Sequence, residues 1–279
     1  MTALRERITS TPSRRIVFTF LALLLAVLFA YPGLGLLFGW SSTEDGGIHR
    51  FHTIVWGIHT GLVLSVGYFA LLFKPWRRVA TAQQLGVAMA LMMTVFFGSV
   101  VILHFGAPST GIDRVVFSLL ILVCTGVVLG LHPRRRELVR FGGGLSRPMA
   151  ALSLIGLGLA VPYALEHIQI QIAVDVATDP HSTGGREHWA EMATTSLVLP
   201  LVGLIAATRS RGWRLAAWTA GLGTMVFGTA SIVMPTQASS PGVTWGVVVL
   251  VGGILFIAVA EIETRRMIPV NDTSRSQAD

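Results

Sequence analysis

Apolar runs of about 20 residues, a low charge content and basic clusters between alternate runs mark this sequence as an all-α, polytopic transmembrane bundle. Of its 279 residues only 13% are charged and 52% are hydrophobic, with a mean hydropathy of +0.67. A soluble domain carries about a quarter of its residues charged, so half that charge beside so much apolar mass means the outward faces meet lipid. The 30 glycines agree, because small residues let membrane helices approach closely.

About eight apolar segments of spanning length can be read, at 16–40, 51–73, 85–106, 115–132, 149–174, 189–208, 215–234 and 243–262. The first follows Arg5, Arg7, Arg14 and Arg15 and imitates a signal peptide. It is too long for a signal core and no small-residue cleavage site ends it, so it reads as the first permanent span. The fifth is the least clean, since Glu166, His167, Gln169 and Gln171 occupy its second half.

The net charge of +7 raises the question of nucleic acid, and placement on the chain answers it. Every Lys and Arg except Arg50, Arg114 and Arg186 falls in the N-terminal arm, the loops 74–78, 134–147 and 209–214, or the C-terminal tail. Those segments lie on one side of an eight-span path, the pattern of cytoplasmic membrane loops. The partner expected is the lipid bilayer, not nucleic acid, with both termini in the cytoplasm and the chain integral to the cell membrane. Cys124 is a single thiol inside an apolar run, which excludes an intramolecular disulfide and a CxxC motif.

A tandem duplication is legible in outline. Ala30-Tyr31-Pro32 is echoed by Ala160-Val161-Pro162-Tyr163, and Gly46-Gly47 by Gly184-Gly185. The loop 74–78 (Lys-Pro-Trp-Arg-Arg) is echoed by 211–214 (Arg-Gly-Trp-Arg), and Ser109-Thr110-Gly111 by 239–242. Four spans per copy would give the copies one orientation and an axis along the membrane normal. The chain then divides into an arm (1–15), a first four-span unit (16–132), a basic linker (133–148), a second unit (149–262) and a tail (263–279).

Histidine placement carries the chemistry. His49, His52, His59, His104, His167, His181 and His188 fall on the side opposite the basic loops, and His132 alone sits beside an arginine run. His49, His52, Trp56 and His59 form one helical stripe, and His188 and Glu191 share a face at i, i+3, with Thr195 a turn further on. Counting from the glycine pairs sets His49 against His188 and His52 against Glu191. Imidazole is the commonest protein ligand for zinc, copper and iron, and bundles build such sites from one-turn pairs on facing helices. His49, His52, His188, Glu191 and Glu166 are therefore the candidate metal ligands. His59 with His104 or His167 is the candidate pair for a haem b. The iron, copper, zinc or haem would serve redox or metal chemistry, with other membrane redox subunits as partners.

Two other readings remain open: a small transporter or channel binding a proton, metal ion or small solute, and a structural or assembly subunit. Interfacial placement alone accounts for His49 and His181, whereas His59, Glu166 and Glu191 lie where an unmatched polar group is costly. Met89, Met92 and Met93 read as packing, and Glu261 and Glu263 beside Arg265 and Arg266 as an interfacial cluster. No Walker loop, Gly-x-Ser-x-Gly or His-Glu-x-x-His occurs, and the single lysine, Lys74, lies in a loop, which excludes a retinal Schiff base. The four-plus-four arrangement with outer histidines is similar in architecture to the haem A synthases. The fourth and eighth spans here hold no outer-side histidine and no extracellular cysteine pair is present, so neither residues nor activity carry over.

Overall fold

The computed structural model describes residues 12–43, 47–98, 112–140, 144–175, 178–181 and 188–267, and among these it is all helix, with no strand. Eight helical stretches match the eight apolar segments in order. They are α1 (Pro12–Ser41), α2 (Arg50–Leu71), α3 (Val79–Leu91, continued by Met92–Phe97), α4 (Ile112–Leu131), α5 (Arg147–Ala173), α6 (His188–Ala207), α7 (Trp213–Val233) and α8 (Gly242–Arg266). Six of these, α1, α2, α5, α6, α7 and α8, are long and apolar enough to cross a membrane. In hydrocarbon no water is present to satisfy backbone N–H and C=O groups, so a chain this apolar closes its hydrogen bonds within helices. His104 and the motifs at 109–111 and 184–185 lie outside the described residues.

Burial divides the helices into an inner and an outer set. In the most apolar stretches of α2, α6 and α7, 61%, 67% and 56% of residues are buried, against 33%, 22% and 22% in α1, α5 and α8. The inner helices α2, α3, α6 and α7 touch one another; α1 leans on α2 and α4, and α5 on α6 and α8. The bundle thus has two ends, one carrying histidines and one carrying arginines.

The second helix is not uniform. Residues Ile58–Ser65 are π-helical, and Met92–Phe97 of α3 likewise. Widening the turn reorients backbone carbonyls, and a neighbour uses one of them: the Gln84 amide donates to Val63 O at 2.8 Å. Gly33 and Gly61 let α1 and α2 touch there; a Cβ on Gly33 would lie 2.5 Å from Gly61 Cα. This explains a difference from the sequence expectation. The third helix begins at Val79 instead of 85, because Gln83 and Gln84 are buried donors to Leu138 O and Val63 O, not loop residues.

At the arginine end the connections after α2 and α6 mirror each other. Lys74 and Arg209 each stop a helix in the left-handed conformation, both at φ 52°, a rare choice for side chains of this size. The loops dock directly: Ala80 N–H donates to Arg211 O at 3.0 Å. Gly212 packs so closely that a Cβ would lie 2.5 Å from Arg77 O. Glu261 and Glu263 find partners across helices: Arg214 pairs with Glu261 at 2.7 Å, and Arg209 Nε donates to Glu263 at 2.9 Å. These two pairs fasten α8 to the start of α7 and to the α6–α7 loop.

At the histidine end, glutamines from other segments bond to the first turns of α2 and α6, and the N-cap of α2, His49, makes no side-chain cap bond. Gln237, from the α7–α8 connection, accepts from Phe51 N–H and donates to Gly47 O, both at 2.8 Å. Gln171 of α5 accepts from Ala190 N–H at 3.1 Å. These bonds satisfy amides that the first turns of α2 and α6 leave over and hold both helix starts at the same level.

Candidate metal centre

The starts of α2 and α6 bring four imidazoles together. His49 immediately precedes α2 and His52 lies in its first turn; His188 opens α6; His181 comes from the α5–α6 connection. His188 is the hub. Its ring centroid lies 4.3 Å from that of His52, 4.7 Å from His181 and 6.0 Å from His49. His49 and His181 are 5.2 Å apart. One nitrogen each from His49, His181 and His188 can be chosen so that all lie within 4.8 Å of one another. Donors about 2.05 Å from a tetrahedral ion stand about 3.3 Å apart, so side-chain rotations of little more than an ångström would close this trio on one ion.

The electrostatics suit a cation. His188 is fully buried, and His49 and His52 are nearly so. Burial lowers the pKa of His181, the nearby Asp179 opposes the shift and His52 reinforces it. A lowered histidine pKa favours the neutral ring, so at pH 7 His181 holds a lone pair for a metal. His188 Nε2 meets Ser239 Oγ at 2.9 Å, while its Nδ1 has no hydrogen-bond partner among the described residues, nor has His181 Nδ1. With Nε2–H donating to Ser239, the lone pair of His188 would sit on Nδ1, the arrangement in which an outer partner fixes a ligand's tautomer. Ser239 is held for this role: its backbone is left-handed at φ 67° and its carbonyl accepts the Tyr163 hydroxyl at 2.7 Å.

Beside the trio, His52 Nε2 is bonded to the Glu191 carboxylate across the α2–α6 contact. Thr195 of the same face spends its hydroxyl on Glu191 O at 3.0 Å. The pair could supply a fourth ligand or a proton acceptor at the edge of the trio.

The remaining sequence candidates are placed differently. His167 is buried, donates Nδ1–H to Tyr163 O at 2.8 Å and stacks on the Tyr163 ring. Trp189 separates it from the trio, touching His167 on one side and His181 and His188 on the other. His59 lies deeper, in the π-helical stretch, fully buried and stacked on Trp56 with its rings 11° from parallel. Neither of its nitrogens has a hydrogen-bond partner among the described residues. Glu166 is exposed on α5 beside His167, whose ring feels its charge, and lies outside the trio; no described residue forms a hydrogen bond or ion pair with it. His181 was not among the expected ligands; lying in a connection without helical spacing, it gave no signal beyond sharing the histidine end. Comparison with family models, with curated proteins and with solved structures finds no match to this chain.

Proposed function

We propose that this is an integral membrane protein that holds a transition-metal ion at the histidine end of its bundle, through His49, His181 and His188, for redox or metal chemistry. The convergence of three donor nitrogens from three chain segments is the observation that carries this reading. Three imidazoles with a further position open suit zinc, copper or iron. The His52–Glu191 pair stands where it would accept a proton from a water or substrate at that position. Membrane redox subunits are the partners such a centre would serve.

Eight spans and a four-plus-four repeat belong to the same reading. The contacts α1–α2, α2–α3, α3–α4 and α1–α4 are matched by α5–α6, α6–α7, α7–α8 and α5–α8, and α2–α7 is matched by α3–α6. The paired left-handed residues Lys74 and Arg209 support it too. Under this relation His49 corresponds to His188 and His52 to Glu191, so each residue meets its own counterpart and the metal would sit beside the pseudo-two-fold axis. The basic loops put the arginine end and both termini in the cytoplasm and the metal outside. Single cysteines at Ser42, Ser109, Ser182 and Ser239 should then label from outside intact cells, and cysteines at Arg135 and Ser210 should be protected. Labelling of position 135 or 210 from outside would overturn this orientation.

Haem b is a second reading, favoured by His59 alone: a fully buried imidazole with both nitrogens unpartnered among the described residues is a ligand in waiting, with His104 or His167 as the opposite ligand. One detergent-purified preparation separates the two. Elemental analysis should give about one zinc, copper or iron per chain, removable by chelator, without absorbance in the Soret region. A Soret band moves the assignment to haem. Neither metal nor haem would leave transport or scaffolding.

A further inference from the structure

A second feature of the fold lies outside the imidazole cluster. Between α5 and α8, floored by α6 and α7, runs a cavity of about 730 Å³. It follows α5 from Leu152 to Ile170, about 27 Å at 1.5 Å per residue, close to the roughly 30 Å of a bilayer's hydrocarbon. It is a slot shaped for a chain, and its volume falls in the range of small-molecule sites, about 300–1,000 Å³. None of His49, His52, His181 or His188 lines it.

The two ends of the slot differ. Toward the arginine end its walls are uncharged, with Leu152, Ser153, Gly203 and Phe256. Toward the histidine end stand aromatic rings, Tyr163 and Trp245 among them, together with Ser240 and Glu166. Glu166 is the only fully charged residue among the described residues of the lining, and none of those is Lys or Arg. A carboxylate at this depth in a membrane needs a partner; its charge faces Tyr163 and His167, also in the lining, but no described residue gives it a hydrogen bond or an ion pair. The open slot beside it is where a partner would come from.

Charge selects the occupant. A phosphate or carboxylate head would lie against Glu166 in a low dielectric, where like charges repel strongly. A permanent cation would fit the sign but would lose far more hydration than a neutral group on entering so apolar a site. A hydroxyl loses little and donates a charge-assisted hydrogen bond to the carboxylate. We infer that the slot between α5 and α8 binds a single-chain lipid with a neutral hydroxyl head, a long-chain alcohol or an isoprenoid hydroquinone, its head on Glu166 and its tail along α5. Gly158 and Gly252 line the wall with nothing within 4 Å of where a Cβ would stand. A larger side chain at either position therefore enters the slot without striking backbone.

Binding of tritiated octadecanol to the purified full chain in detergent tests this, with metal content measured on the same samples so that the two sites are read separately. Unlabelled octadecanol or a decyl hydroquinone should displace the label, the stronger competitor identifying the source. Octadecanoate should compete at least about tenfold less well, a difference of roughly 1.4 kcal/mol. Gly252→Leu and Gly158→Leu should each cut retention at least about tenfold with elution volume and metal content unchanged. Glu166→Gln should erase the preference over octadecanoate. Equal competition by octadecanoate or phosphatidylglycerol in the unaltered protein would mean ordinary annular lipid and overturn the inference. Stronger competition by octadecylamine would overturn the neutral head. Undiminished retention in a well-folded glycine variant would overturn the slot itself.

Discussion

Replacing His188 with alanine is expected to strip the protein of metal while leaving it inserted and monodisperse. His188 lies nearest the middle of the imidazole group and is the ring whose orientation is fixed from outside, by Ser239. Loss of a supporting outer partner alone typically weakens a metal site about 10–100-fold, and that is the effect expected of Ser239→Ala. Loss of the ligand should exceed it, more than about 100-fold. His188→Gln separates chemistry from packing: its amide reaches the Ser239 hydroxyl and fills much of the ring's volume, yet offers no imidazole lone pair. Metal should be lost there as well. The readout is metal per chain after dialysis against a weak chelator, with size-exclusion profiles alongside. Full occupancy in a monodisperse His188→Ala protein would show that these histidines do not hold the ion.

Much of the fold was legible because lipid imposes a simple rule: a backbone that cannot reach water closes its own hydrogen bonds over the length of the apolar run. Hence α1, α2 and α5–α8 lie where hydropathy placed them. The rule fails where a polar side chain serves another helix. Gln83 and Gln84 look like a loop until Leu138 O and Val63 O, both remote in sequence, come into position to receive them. Gln171 is similar: in the sequence it is one of the polar residues that make the fifth segment the least clean, and in the structure it accepts from Ala190 N–H at the start of α6. The π-helical stretch around His59 gave no sign either, because it depends on what packs beside it.

The site was half legible for a related reason. Spacing within a helix is a sequence property, so the one-turn pairs His49/His52 and His188/Glu191 could be read. Helix rotation is set by tertiary contacts, and here it turns both pairs inward, so that His52 meets Glu191 instead of each pair standing alone. His181 belongs to no periodic pattern; it joins His49 and His188 through the path of the α5–α6 connection. Ser239 shows in the sequence only as part of the 239–242 echo, and its contact with His188 comes from its left-handed backbone and its place over that ring.

The α7–α8 contact that positions Ser239 gives the largest stability effect expected. The helices cross at two levels, Gly221 against Gly253 and Gly228 against Gly246. A Cβ on Gly228 would lie 2.5 Å from Leu250 N and 2.7 Å from Gly246 O, and backbone atoms cannot swing aside. In lipid such helices are held by close packing without a hydrophobic drive, so forcing them apart is not offset elsewhere. Gly228→Ala should therefore destabilise by about 1–3 kcal/mol, and Gly228→Val by more. Gly130 on α4 is the control, since it is exposed with nothing within 4 Å of its Cβ position. There alanine's better helix propensity, worth up to about 1 kcal/mol, should leave the protein unchanged or firmer. Opposite signs for one chemical change at two positions are the diagnostic, read as midpoints of thermal unfolding in detergent. The Gly228 variants should also lose metal, because α7 and α8 together carry the loop in which Gln237 caps α2 and Ser239 orients His188. A Gly228→Ala protein as stable as Gly130→Ala would mean that α7 and α8 do not meet at these glycines.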